Sequence, residues 1–304
     1  MRCRRCDDAA VFTRRYSGES LCSRCFTDSV MRKTARTISR YKMIGNGDLV
    51  AVAVSGGKDS LALLHILDQM SRSHNFRIHA VTVDEGIAGY RDEALGIVSD
   101  YCRGLGVQYS VFSYKDVFDF TLDEALGQRG DDRTSSCAIC GTLRRRVMDH
   151  AAREVGAGVI ATAHNLDDGL QTYLINMLSG DVGRIGWTVP GPDGSGLRKI
   201  KPFMEIYEEE IVFYAFTNQI PFQTEPCPHM GEGVRTEIRE FLNSLERQHA
   251  GIKNGLYRSL VKVSRAVRES DSKIRAICDS CGAECTGKTC SVCRIVSRFK
   301  GGQA

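Results

Sequence analysis

The hexapeptide Ser55-Gly56-Gly57-Lys58-Asp59-Ser60 holds the densest set of phosphate-binding residue types in the chain. An apolar run at 49–54 leads into it, and a helical pattern over 58–70 follows at once. Gly56 and Gly57 let the backbone approach a phosphate closely. The helix start adds unpaired N–H groups and the positive end of its dipole. Lys58 contributes a point charge, and the Ser55 and Ser60 hydroxyls contribute donors. A strand–loop–helix cradle of this kind suits a nucleoside triphosphate. The plain alternative is an ordinary turn, where Gly and Ser are also common. The Walker pattern is excluded, because it needs four residues between its glycine and its Gly-Lys. Two more pieces, Asp84-Glu85-Gly86 and His164-Asn165-Leu166-Asp167-Asp168, follow strand-like segments, where an open α/β sheet places its ligands. Asp84 and His164 are expected at the ATP site. Asp167 and Asp168 are expected to hold Mg²⁺ against the triphosphate, or else to form a helix cap with Asn165.

The chain has thirteen cysteines. In a reducing compartment these read as metal ligands rather than disulfides. Cys3-x2-Cys6 and Cys22-x2-Cys25 lie near one end, and Cys278-x2-Cys281 and Cys290-x2-Cys293 near the other. Two such pairs suit one tetrahedral zinc, so each end is expected to be a zinc ribbon too short to fold on apolar burial alone. Cys285 is a spare within the second module, and Cys102 is a core residue in a helix. Cys137, Cys140 and Cys227 remain. A pair plus one distant thiolate suits a 4Fe–4S cluster with one open iron. Equally, it suits a catalytic disulfide pair working through a persulfide, and buried thiols are the plain alternative.

Alternating elements must position these groups. Strand-like segments at 49–54, 78–83, 108–112 and 159–163 interleave with helical patterns at 58–70, 92–105, 141–155 and 166–178. That order predicts an α/β domain with a doubly wound parallel sheet. Segment 190–196 reads as a Gly/Pro loop, a strand-like piece closes at Lys201-Pro202, a Glu-rich helix covers 205–218, and 235–267 is charged and helical. The expected organisation is an N-terminal zinc ribbon at 1–30, a connecting helix at 31–48 and the catalytic domain at 49–225. A helical extension carrying Cys227 follows at 226–272, then a C-terminal zinc ribbon at 273–304. The 304 residues are 42% hydrophobic, enough for a core, and the formal net charge of +4 permits nucleic acid as a partner without requiring it. No apolar run reaches the ~20 residues of a membrane span, and no secretory signal opens the chain. A soluble cytoplasmic protein is expected.

The Ser-Gly-Gly-x-Asp-Ser loop resembles that of the PP-loop ATP-pyrophosphatases, a Rossmann-like superfamily. Nearly the whole chain resembles the archaeal and eukaryotic cytosolic tRNA uridine 2-sulfurtransferases. The resemblance rests on the loop 55–60, Asp84-Glu85-Gly86-Ile87, Gly89-Tyr90-Arg91-Asp92, and Cys137-x2-Cys140-Gly141 with Arg144-Arg145. It extends through His164-Asn165-Leu166-Asp167-Asp168, Lys199-Ile200-Lys201-Pro202, Cys227 and the two ribbons. It implies that Cys137, Cys140 and Cys227 bind a 4Fe–4S cluster whose open iron carries sulfide. ATP then adenylates the uridine O2, and sulfur replaces it. The partners so implied are tRNA, a sulfur donor (sulfide or a ubiquitin-like thiocarboxylate protein) and a second copy in a homodimer. The segment 86–92 is more similar to the branch acting on the wobble uridine than to the T-loop branch. Three positions depart from the family pattern: Gly169 where an acidic residue is usual, Arg144 where some members have a lysine, and Pro226 before Cys227.

Adenylation makes chemical sense, because a uracil oxygen leaves poorly and AMP leaves well. Sulfur held beside the carbon gains proximity and orientation. Lys58, Asp59, Asp168, Arg144 and the three central cysteines are the expected catalytic set. Competing readings are a T-loop uridine or cytidine thiolase of the same superfamily, and a zinc-ribbon RNA-binding protein with a vestigial nucleotide site. A lysidine-type synthetase would leave the central cysteines without a role.

Overall fold

The computed structural model describes residues 1–129, 134–189, 196–229, 234–270 and 276–300. Near the N-terminus, β1 (Phe12–Arg14) and β2 (Glu19–Leu21) pair antiparallel. Helix α1 (Ser23–Arg40) follows directly, with Cys22 as its extended N-cap and Cys25 in its first turn. The connecting helix therefore starts inside the cysteine module rather than at 31, because the second cysteine pair itself makes the entry turn.

Among the described residues, β3 (Leu49–Ala53), β4 (Arg77–Asp84), β5 (Tyr109–Ser113), β6 (Val159–Ala161) and β7 (Arg198–Ile200) form one sheet. The order is β5-β4-β3-β6-β7, and every pairing is parallel. Helices α2 (Lys58–Ser71), α3 (Arg91–Leu105), α4 (Tyr114–Phe118), α5 (Leu122–Gly127) and α6 (Ser136–Glu154) lie between the strands up to β6. Successive side chains of β3 serve opposite faces. Val50 and Val52 pack with Leu63, Leu64 and Leu67 of α2, whereas Ala51 packs with Val81, Ile160 and Ala151 and Ala152 of α6. This burial on both faces explains the unbroken apolar run. The chain leaves β3 toward β5 and later returns to the other side of β3 with β6. The crevice for a ligand therefore lies at the carboxyl ends of β3 and β6.

Helix α7 (Leu166–Leu178) follows β6, the short α8 (Val182–Ile185) comes next, and α9 (Glu208–Thr217) follows β7. The loop expected at 190–196 lies outside the described residues, save Gly196. The charged stretch at 235–267 is two helices, α10 (Arg235–Gln248) and α11 (Ile252–Ser270). Gly251, at φ +93°, turns the chain between them. Glu246 stitches that turn by accepting from the Gly251 and Lys253 amides at 2.7 and 2.9 Å. At the C-terminal end, β8 (Ala276–Ile277), β9 (Glu284–Cys285) and α12 (Ser291–Lys300) form the second cysteine module. Val292, Ile295 and Val296 of α12 pack beside Leu143 and Val147 of α6, and the Phe299 ring meets Phe120 at 5.7 Å.

The N-terminal module is clamped to the sheet domain. Phe12 and Phe26 pack with Phe213 of α9, at centroid distances of 4.9 and 4.8 Å. Buried Arg14 pairs with the fully buried Glu210, whose other oxygen meets Lys33 at 3.0 Å. Burial alone would raise the Glu210 carboxyl, but Lys33 and Arg14 outweigh it and hold it below the usual carboxylate range. Its contribution to stability is present above that range and is lost as pH falls through the depressed value. Glu210→Gln removes the more deeply buried of the two carboxylates on Arg14 and leaves Glu19 at 2.7 Å, at an expected cost of about 2 kcal/mol. Urea unfolding of the variant at neutral pH checks this. An unchanged midpoint would contradict the clamp.

Candidate active site and metal centres

The glycine loop is braced from within. Ser60 is buried; its hydroxyl donates to the Gly57 carbonyl at 2.8 Å and accepts from the Ser55 amide at 3.1 Å. Ser60, expected as a phosphate donor, here commits its hydroxyl to the loop's own backbone and so shapes the loop. Gly56 sits at φ +89°, and a Cβ there would lie 2.8 Å from the Ala94 Cβ, so only glycine fits where α3 crosses the loop. Gly57 is the N-cap of α2, with no side chain capping the helix. Its first-turn amides thus stay available to an anion.

Lys58 reaches back to Asp59 at 3.2 Å and across to Glu208 at 2.9 Å. Burial pulls its pKa down, but these carboxylates outweigh burial and hold it above the ordinary lysine value. Asp59 is pushed up to about 6, by burial first and then by Asp168 and Glu208, with Lys58 opposing. Asp168 is raised as well, by burial first and by Glu208 and Asp167 after it. The three carboxylates oppose one another's charge across the loop without converging on one point; among the described residues only the two cysteine quartets do so. The buried Asp59 Oδ1 has no hydrogen-bond partner among the described residues and supplies a ready ligand atom. Asp168 also closes a reciprocal capping box with Asn165, at 3.0 and 3.1 Å, so the cap read for this segment is present.

Asp167 departs from expectation. It is buried, its Oδ1 pairs with Lys253 of α11, and its Oδ2 accepts from the Glu208 amide at 2.8 Å. With both oxygens engaged, it anchors the helical extension to the site instead of facing Mg²⁺. Glu208, 150 positions from Lys58 in the chain, brings to the loop the carboxylate that accepts from Lys58. As the first of three glutamates opening a helix, it reads in sequence as a residue complementing the helix dipole.

Asp84 ends β4 and accepts from the Gly86 amide at 2.9 Å. His164 pairs with Thr162 Oγ1 at 2.8 Å. His164 is open to solvent on one side, and the protein around it, then Lys201, Arg235, Arg145 and Arg144, depress it to about 4, which favours the neutral ring at pH 7. Lys201 donates to the Thr188 carbonyl at 2.8 Å; burial, with Arg268 adding, lowers it to about 8. The cavity lined by His164, Asp168, Thr172 and Lys201 is only about 30 Å³, room for about one water rather than a base.

At the neighbouring rim, α6 starts at Ser136, capped by Ser135 at 3.3 Å, five residues before the expected 141. Cys137 and Cys140 thus fall in its opening turns, Cys137 exposed and Cys140 buried. Cys140 Sγ accepts from Arg144 at 3.0 Å and from the Tyr114 hydroxyl at 3.6 Å. Cys137 Sγ lies 3.7 Å from the His229 carbonyl, which puts it beside the segment carrying Cys227. That segment is fastened in turn: the Gln223 amide donates to the Gly56 carbonyl at 3.0 Å. All three thiols therefore stand at one edge of the crevice, with Cys140 and Cys227 against the same apolar core. A thiol-only donor set with an arginine countercharge and one dry side fits a 4Fe–4S cluster.

The terminal modules fit zinc. In each of the sets Cys3, Cys6, Cys22, Cys25 and Cys278, Cys281, Cys290, Cys293 the four sulfurs lie within 4.8 Å of one another. Individual separations are 3.5 Å for Cys6 to Cys22, 3.6 Å for Cys6 to Cys25 and 3.7 Å for Cys281 to Cys290. Tetrahedral zinc with bonds of about 2.3 Å requires roughly 3.8 Å. Arg146 of α6 reaches the Cys281 and Cys290 sulfurs at 3.4 and 3.7 Å and so ties the second module to the helix of the central cysteines. Cys285 stands outside the quartet, and Cys102 is buried in α3. Metal analysis of purified protein is expected to find about two zinc per chain. A folded sample with none would contradict both ribbons.

The sheet order, the loop and the acids across the switch point define a PP-loop protein, and the PP-loop domain family matches residues 28–246. The N-terminal LIM domain described for 2-thiouridine synthetase TtuA matches residues 2–27. Cytoplasmic tRNA 2-thiolation protein 1 of Chlamydomonas reinhardtii is 34% identical over 99% of this chain and 85% of its own. The protein of that name from Drosophila ananassae is 31% identical over 98% of this chain and 88% of its own. The tRNA 2-thiolation protein NcsA of Haloferax volcanii is 30% identical over 99% of both. The chain belongs to this tRNA 2-thiolation protein family. A solved structure, the U34-tRNA thiolase NcsA from Methanococcus maripaludis with its [4Fe-4S] cluster, superposes with a TM-score of 0.84 at 27% identity. The match covers 99% of this chain and 96% of that one.

Proposed function

We propose that this protein is an ATP-dependent tRNA sulfurtransferase that converts the wobble uridine to 2-thiouridine in the cytoplasm. The observation that carries the reading is the shared edge of the phosphate loop and the three cysteines, joined by the Gln223 bond to Gly56. The relatives' names and the described neighbour support the same activity. No helix among the described residues is long and apolar enough to cross a membrane.

In this reading the amides of α2 and Lys58 hold the ATP phosphates, and Asp59, Asp168 and Glu208 hold Mg²⁺. The uridine O2 attacks the α-phosphorus, the α–β bond breaks and pyrophosphate leaves. Sulfide sulfur then attacks C2, the C2–O bond breaks and AMP departs with the oxygen. A 4Fe–4S cluster bound by Cys137, Cys140 and Cys227 would supply an open iron for sulfide. Arg144 sets a fixed positive charge beside Cys140, and neutral His164 can accept or donate a hydrogen bond without adding charge. Base access requires the nucleotide to leave its stack, as in other single-nucleotide RNA recognition. The two zinc ribbons are structural, tRNA and a sulfide or thiocarboxylate donor are the partners, and the working unit is a homodimer. Nuclease fragments of treated tRNA, weighed by mass spectrometry, test the position. Sulfur is expected in the anticodon fragment, and sulfur confined to the T-loop fragment would overturn the wobble assignment.

A further inference from the structure

One unbroken chain of side chains joins the phosphate loop to the central cysteines, and it runs through two buried residues with no part in the chemistry above. Arg91, the first residue of α3, is almost fully buried. Its guanidinium donates to the Ser55 carbonyl at 2.9 Å and to the Val83 carbonyl at 2.7 Å. Its Nε forms an ion pair with Glu85 Oε2 at 2.9 Å. Glu85 is equally buried, and its Oε1 meets Arg144 Nε at 2.7 Å. The free end of Arg144 then lies 3.0 Å from Cys140 Sγ.

A carboxylate buried between two guanidinium groups is held by the charge of both, so loss of that carboxylate uncouples the two cations. Arg91 donates to two carbonyls while its Nε faces the carboxylate, an ion pair whose Nε and Oε2 make no hydrogen bond among the described residues, and a lysine point charge cannot reproduce that fork. The half-exposed Arg144 has no comparable wall of its own, so Glu85 decides where its charge sits.

We propose that Glu85 and Arg91 are positioning residues that hold Arg144 against the sulfur site in fixed register with the ATP loop. This deepens the thiolation reading and rests on it for its catalytic consequence only. Glu85 sets Arg144, Arg91 sets Glu85, and the Ser55 and Val83 carbonyls set Arg91. Loss of the middle link leaves the loop and the cysteines each in place but frees the cation between them. Sulfur transfer is then expected to suffer more than adenylation.

The test uses Glu85→Gln in the full-length protein, with Arg91→Lys as a second variant should the first fail to fold. In iron-free protein that keeps its zinc, arginine modification by phenylglyoxal followed by peptide mass spectrometry reads the position of Arg144 directly. Modification of Arg144 is expected to speed up at least ~5-fold in either variant, as loss of its ion pair with a buried carboxylate allows, while exposed arginines such as Arg103 keep their rate. An unchanged Arg144 rate in a folded variant overturns the proposal, whether or not the protein thiolates tRNA. With iron-loaded protein, thiouridine formed per pyrophosphate released should drop about tenfold, equivalent to about 1.4 kcal/mol. Glu85→Gln should add nothing in an Arg144→Gln background. A parallel fall of both half-reactions, or additive losses in the double variant, would reduce Glu85 to a structural residue and overturn the positioning role.

Discussion

Cys227→Ala is expected to abolish tRNA thiolation and the visible absorption of the anaerobically reconstituted protein, while the helical content survives. Cys227 is half-exposed on a segment fixed independently by Gln223 at Gly56 and by His229 against Asp123 at 3.3 Å. Removing one sulfur should therefore spare the fold. Cys137 and Cys140 alone supply two thiolates, too few to retain a cubane that already lacks one protein ligand. Iron analysis and circular dichroism on one preparation separate the outcomes. Full iron with full thiolation in Cys227→Ala would remove this residue from the centre. Thiolation by a wild-type protein that still contains no iron after anaerobic reconstitution would replace the cluster with persulfide chemistry on the same thiols.

The second large effect is expected at Lys58. Lys58→Ala removes the side chain that bridges Asp59 and Glu208 and supplies the loop's point charge. Loss of one preorganised charge partner at a reacting phosphate typically slows the chemical step by about 10²–10³. Here the loss also leaves the carboxylates Asp59, Asp168 and Glu208 facing one another uncompensated, so Mg²⁺·ATP affinity should change as well. Pyrophosphate release and the tRNA-independent fold are measured together. Near-normal release by a folded Lys58→Ala variant would refute the nucleotide site.

What could be read from sequence was local. Strand, loop and helix around 49–71 are contiguous, and their apolar run and glycines fix the fold there without distant help. The same holds for the reciprocal cap of Asn165 and Asp168 and for the double cysteine pairs. The remainder depended on contacts between distant segments. Glu208 joins the site from the neighbouring helix α9, which packs beside α2 on the same face of the sheet, and nothing at positions 208–210 separates a residue facing the loop from a dipole-compensating acid. Asp167 and Asp168 are neighbours on one helix turn, yet one faces the crevice and the other is held by Lys253 from 86 positions away. Helix starts were set by residues with two roles. Cys22 and Ser135 begin α1 and α6 earlier than apolar periodicity alone suggested, because a cysteine-pair turn and a side-chain cap define those ends.

The most direct single measurement is a stoichiometric turnover. Anaerobically reconstituted protein is mixed with unmodified tRNA, Mg²⁺·ATP and sulfide, and nucleosides, pyrophosphate and AMP are quantified together. The expected result is 2-thiouridine appearing with one pyrophosphate and one AMP per thiolated base. Iron-loaded, folded protein that releases no pyrophosphate and forms no 2-thiouridine, or that thiolates without consuming ATP, would contradict adenylation and sulfur transfer at this site.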